Sequence, residues 1–226
     1  MDITENIDFF CLSHNKDNYY TMKNRFYNLG IKCTFYSGLD NDDSRLNRAF
    51  NNFNKRQMSI TFGHLDIIHN FYNNSNKNYA IICEDDIMIH LNIKEILKKI
   101  LVDFHLLKLD VLLLGYMLPY KIDKRNNNYT LKKLLHNNSF YKYYEYPEYQ
   151  SGTQMYMISR SYAKFILEKY YMKFFELFDI RYIFDKIFIK RGNRALIYPM
   201  LAIEDDNQDD NYHRLCRNIH YTDWYI

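Results

Sequence analysis

The chain has 226 residues, 47% of them hydrophobic, with four cysteines and a formal charge of +3. That length suits one domain spanning 1–226 with a substantial core, and the apolar content excludes wholesale disorder. The small, scattered positive charge excludes nucleic-acid binding by bulk electrostatics, and no run approaches the roughly eighteen apolar residues a membrane span needs.

The elements alternate along the chain. Phe9 to Leu12 reads as a first strand and Asp17 to Leu29 as a helix stopped by Gly30. Cys33 to Tyr36 reads as a second strand, and a polar stretch from Gly38 to Asn54 as loop with a helical turn. Met58 to Asn74 places Ile60, Leu65, Ile68 and Phe71 near helical spacing. Tyr79 to Cys83 is an apolar run too short for a helix and predicts a buried strand. Ile93 to Phe104 carries the clearest amphipathic pattern. Asp110 to Leu114 reads as a buried strand, and Tyr120 to Tyr149 has no clear period. Ser159 is placed to cap a helix with Tyr162, Ala163, Ile166 and Tyr170 on one face. Asp179 to Ile189 reads as a further helix, and Arg194 to Tyr198 as a last strand. This alternation predicts an α/β fold with a mostly parallel or mixed central sheet flanked by helices.

Chemistry concentrates where the strand at Tyr79 ends in Glu84, Asp85 and Asp86. Open α/β sheets keep their ligand crevice at the carboxyl ends of strands. Side chains alternate in extended backbone, so Glu84 and Asp86 are expected on one face and Asp85 on the other. Two like charges on one face repel unless they share a cation, and oxygen-only ligands suit Mn²⁺ or Mg²⁺. A solvated acidic turn is the plainer reading of the same residues.

Two further segments bear on that choice. Gln57-Met-Ser-Ile-Thr-Phe-Gly-His-Leu65 precedes the acidic strand, and Ser151-Gly-Thr-Gln-Met-Tyr-Met-Ile-Ser-Arg160 follows it. With these, the chain resembles glycosyltransferase family 25 from about Ile7 to His213. The resemblance implies a GT-A-like (Rossmann-like) fold and transfer of a hexose, with inversion, from a nucleotide-sugar donor, a UDP-hexose by expectation, to a glycan or protein-linked acceptor. It implies a metal ion, Mn²⁺ or Mg²⁺, at Glu84, Asp85 and Asp86. It puts Leu12, Ser13, His64, Glu84 and Asp86 on the donor, and Gly152, Thr153 and Gln154 on the acceptor or sugar. Asp185 is its candidate for the carboxylate base that takes the acceptor proton. Glu204, Asp205 and Asp206 are the alternative base or an extension of the metal site, and His213 and His220 are candidate metal ligands.

The chain departs from the family pattern at one end. Where the family has Asn-Leu-Asp-Arg, this sequence has Cys11, Leu12, Ser13 and His14, with Asn18 in place of a later Arg. Gly63 stands for the usual Ser before His64, and Ser59 for the usual Gly. Two competing classes remain open: a metal-dependent nucleotide-sugar hydrolase, and a non-catalytic sugar- or protein-binding descendant. Cys11, Cys33, Cys83 and Cys216 lack any metal-type spacing and read as free thiols, an expectation of a reducing, cytoplasmic setting. The acidic residues of the first ten positions argue against a secretory signal.

Overall fold

The computed structural model describes residues 5–40, 42–47, 55–118, 133–145, 151–171, 191–205 and 211–224. Ten strands are present among them: β1 (Ile7–Ser13), β2 (Cys33–Ser37), β3 (Tyr79–Glu84), β4 (Ile87–Ile89), β5 (Val111–Met117), β6 (Leu134–Asn137), β7 (Lys142–Glu145), β8 (Ser151–Ser159), β9 (Arg194–Tyr198) and β10 (Ala202–Glu204). The helices are α1 (Lys16–Asn28), α2 (Ser44–Asn47), α3 (Lys55–Asn74), α4 (Ile93–Leu106), α5 (Arg160–Ile166), continued by a π-helical turn (Leu167–Tyr171), and α6 (Asn211–Trp224). No described helix is long and apolar enough to cross a membrane.

Eight strands form one mixed sheet in the order β2-β1-β3-β8-β5-β9-β7-β6, and β10 pairs with β4 in a small second sheet. β1 lies parallel to both β2 and β3. This is a Rossmann-like half, with α1 crossing between β1 and β2, and α3 between β2 and β3. β8 then enters antiparallel between β3 and β5, while β9 runs parallel to β5. The sheet is therefore mixed, as expected.

Alternation along the strands divides the core in two. Phe10, Leu12, Ala80, Ile82, Leu113, Tyr156 and Ile158 pack on one face against Phe62, Leu65, Ile68 and Phe71 of α3 and Ala163 and Ile166 of α5. Phe9, Cys11, Ile81, Cys83, Leu112, Leu114 and Met157 pack on the other against Met22 and Phe26 of α1 and Ile93, Leu97, Ile100 and Phe104 of α4. A period of two in strands buried on both faces produces this division. Local signals end the helices as expected: Asn15 accepts from the Asp17 N–H at the start of α1, Gly30 follows α1 at φ +61°, and Ser159 accepts from the Tyr162 N–H at the start of α5.

Some elements differ from expectation. The stretch Tyr120 to Tyr149 holds the β6–β7 hairpin, and Ser151 to Ser159 is strand throughout rather than loop leading into strand. The chain past Pro199 adds β10 and α6. The helix expected at Asp179 to Ile189 lies outside the described residues.

Candidate active site

A cavity of about 320 Å³ opens at the carboxyl ends of β1 and β3, and Glu84, Asp85, Asp86 and Asp205 line it. β3 ends at Glu84 and the backbone bends at Asp85–Asp86 before β4 begins. Strict alternation stops at that bend, so all three carboxylates of the run reach one cavity instead of dividing between two faces.

Each carboxylate has its own surroundings. Glu84 Oε1 accepts the Thr153 hydroxyl of β8 at 2.8 Å. Asp85 Oδ2 accepts the Ser13 hydroxyl at 2.7 Å, the His14 N–H at 3.1 Å and the Asn15 N–H at 3.4 Å. Asp85 thus ties the end of β3 to the turn between β1 and α1. Asp86 sits beside β10, which returns antiparallel along β4 with Glu204 opposite Ile87. The Asp205 N–H donates to the Asp86 carbonyl at 2.8 Å. Burial, then the charge of Glu204, then that of Asp85 raise the Asp86 carboxyl to about 6. The Asp205 carboxylate is held by the Arg25 guanidinium of α1, which also donates to the Ile87 carbonyl.

Behind Asp86, Glu204 is only 7% exposed. Its Oε1 accepts from His213 Nδ1 of α6 at 2.6 Å and from the Gln154 amide at 3.2 Å. Its Oε2 is buried with no hydrogen-bond partner among the described residues. A carboxylate only accepts, so His213 donates through Nδ1, and in the neutral tautomer Nε2 is the acceptor. His220, by contrast, is buried and its Nε2 donates to the Leu118 carbonyl at 2.8 Å. Of the two histidines sequence could not separate, the structure brings His213 to the acidic cluster.

The remaining expected site residues are placed as follows. Leu12 lines the cavity; Ser13 is buried against Asp85. His64 is not among the cavity-lining side chains: it is fully buried, its Nδ1 lies 2.9 Å from the Tyr156 hydroxyl, and burial lowers its pKa to about 3. The neutral ring joins α3 to β8. Thr153 and Gln154 are buried beneath the cavity, joined to Glu84 and Glu204. Gly152 has φ +95°, and a Cβ there would stand 2.7 Å from the Met117 N of β5, so strand packing demands glycine. Asp185 and Asp206 lie outside the described residues.

Sequence reasoning did not single out Asn15, Thr21 and Arg56, and read Ile60 only as part of a helical pattern; all four also line the cavity. The helical face Asn18, Thr21 and Arg25, at spacings of three and four, was the available signal. Among the described residues no three histidine, cysteine or acidic side chains form a preformed metal centre.

The model of glycosyltransferase family 25 (LPS biosynthesis protein) matches residues 10–180. The chain belongs to glycosyltransferase family 25. The stretch matched to family 25 contains Glu84–Asp86 and Gly152–Gln154, and it ends before Asp185, Glu204 and His213. No curated protein matches the sequence. Solved structures similar to this family 25 chain include A197 from STIV, at 11% identity and TM-score 0.43, covering 84% of this chain and 81% of that one. A glycosyltransferase involved in glycosylation of the major capsid of PBCV-1 matches at 9% identity and TM-score 0.43, covering 95% and 99%. A putative glucose-1-phosphate thymidylyltransferase from Bacillus anthracis in complex with sucrose matches at 11% identity and TM-score 0.40, covering 93% and 76%.

Proposed function

We propose that this family 25 chain is a metal-dependent hexosyltransferase that uses a nucleotide-sugar, a UDP-hexose, and inverts the anomeric carbon on transfer to a glycan or protein-linked acceptor. The observation that carries the reading is the convergence of Glu84, Asp85, Asp86 and Asp205 on one cavity at the strand ends. A diphosphate could not approach these carboxylates without a cation between them. The donor set is all oxygen near Asp86, with an imidazole at its edge, and this fits Mn²⁺ or Mg²⁺. Such ions are commonly held by one or two carboxylates plus substrate phosphates, so a complete protein cage is not needed.

Asp86 and Glu84 would hold the ion, with His213 as a further ligand. Asp85 is committed to the β1–α1 turn and would act on the donor through that turn. Glu204 would fix the His213 ring by accepting its Nδ1–H, as carboxylates commonly do for metal-binding histidines. When bound, the ion would neutralise charge developing on the leaving nucleotide. Asp185 is proposed to take the acceptor proton. Four free cysteines favour a reducing, cytoplasmic setting.

The test is a thermal-shift screen of nucleotide-sugars with Mn²⁺ or EDTA, followed by turnover of the stabilising donor with and without acceptor. Ligands that bind only the native state raise apparent stability. Equal donor affinity in Mn²⁺ and EDTA would defeat the metal reading. Donor cleavage at one rate whatever acceptor is supplied would defeat transfer.

A further inference from the structure

Part of the cavity wall comes from the β1–α1 turn, where the chain departs from the family pattern. Ser13 and His14 stand where the family has Asp and Arg. The Ser13 hydroxyl and the His14 N–H both bind Asp85, so the backbone there is fixed. The His14 ring turns from Asp85 onto Gly38, just past the end of β2. A Cβ built on Gly38 would fall 1.5 Å from His14 Cε1, 2.0 Å from Nδ1 and 2.5 Å from Nε2. The imidazole therefore occupies the space that any side chain at 38 would need.

Two observations give this ring a purpose. Among the described residues lining the cavity, His14 is the one aromatic side chain. Its neighbours suit a flat ligand edge: Leu12 and Ile60 are apolar, and Arg56 and Asn15 are polar. An imidazole presents a flat face on which a base can stack. The diphosphate end of a nucleotide belongs with the carboxylates and their cation, which leaves the base for the part of the wall made by His14, Leu12 and Ile60.

We propose that His14 is the residue on which the donor's nucleobase stacks, and that Gly38 is the position that lets the ring stand there. The proposal rests on the nucleotide-sugar reading above. It assigns base recognition to a side chain that the family pattern does not supply.

The experiment titrates nucleoside diphosphates (UDP, with GDP, ADP and CDP in parallel) into the full chain with Mn²⁺ by calorimetry. The tightest is carried through His14→Ala, Gly38→Ala, the double variant and His14→Phe, with pyrophosphate as the probe that lacks a base. Losing one base–aromatic stack weakens binding roughly five- to one-hundred-fold. His14→Ala is expected to show that loss for the nucleotide and none for pyrophosphate. Gly38→Ala is expected to show a similar loss, because its methyl evicts the ring. In the His14→Ala background Gly38→Ala should then be silent, since the two changes remove one interaction. His14→Phe should retain most of the affinity. Equal nucleotide affinity in the parent and His14→Ala overturns the proposal, as does a parallel loss of pyrophosphate or a full further loss in the double variant. A parent chain that binds neither nucleotide nor pyrophosphate with Mn²⁺ overturns the nucleotide-sugar reading and this proposal with it.

Discussion

Asp86→Asn should stabilise the metal-free protein at neutral pH while abolishing its response to metal. Burial and the neighbouring Glu204 raise this carboxyl from 3.8 to about 6. At about 1.4 kcal/mol per unit, the ionised form carries a penalty of up to about 3 kcal/mol. An acid whose folded pKa lies above its unfolded one binds more protons in the native state. Stability therefore falls as pH rises from about 4 to about 6, and stays reduced above that window. Asparagine has nearly the same shape and does not ionise. The stability gap between variant and parent should thus be small near pH 4 and open through pH 6 to a limit of about 3 kcal/mol. For a chain of this size that limit corresponds to up to about 10 °C in Tm. The assay is thermal and urea unfolding in EDTA at a series of pH values, repeated with Mn²⁺. The parent should gain stability from Mn²⁺ above pH 6 and the variant should not. A gap that stays flat from pH 4 to pH 7.5 would refute the reasoning, as would a variant that still responds to Mn²⁺ like the parent.

Other outcomes follow from the same geometry. Asp85→Ala removes the acceptor for one hydroxyl and two backbone N–H groups, so it should cost about 1–3 kcal/mol by urea unfolding; Mn²⁺ binding should survive in it, as it should not in Asp86→Ala. Gly63→Ser, which restores the residue usual in the family, should destabilise by about 1–3 kcal/mol, because a Cβ there stands 2.5 Å from Leu12 Cδ1; unchanged urea stability would contradict that packing. His213→Ala should weaken Mn²⁺ binding by at least the roughly 10–100-fold that loss of a ligand's outer partner costs in a calorimetric titration, and His220→Ala should leave it near the parent value. Asp185→Asn should leave Mn²⁺ and donor binding intact and slow transfer by about 10²–10⁴-fold; full-rate transfer would move the base elsewhere.

Much of the first half of the fold was legible because its signals are local. The strand at Cys33, the helices stopped by Gly30 and ending at Asn74, and the capping Ser159 are each written within a few residues. What escaped depended on distant partners. The three-residue strands β4 and β10 exist because they pair with each other, and neither Ile87–Ile89 nor Ala202–Glu204 carries a periodic pattern. The β6–β7 hairpin lies in an Asn- and Tyr-rich stretch where burial of Tyr143 and Tyr144 is set by neighbours far along the chain. The site divides the same way. Glu84–Asp86 stands out at a strand end, but the bend after Glu84 and the roles of Ser13, Arg25 and Glu204 are contacts across 50 to 180 positions. The departures from the family pattern also make sense only in space: Gly63 accommodates Leu12, and Gly38 accommodates His14.

The place of β8 bears on how the chain is made. It fills the gap between β3 and β5, yet it follows both in sequence. Until residues 151–159 leave the ribosome, the apolar runs Tyr79–Glu84 and Val111–Met117 each present an unpaired edge. Such edges template pairing with other chains, and non-local strand pairing is slow. A nascent chain stalled before β8 is thus the species most prone to aggregate. The acidic cluster matures later still, since Glu204 arrives only with β10. A chain ending before Ala202 should therefore lack the Glu204 and Asp205 that pack beside Asp86.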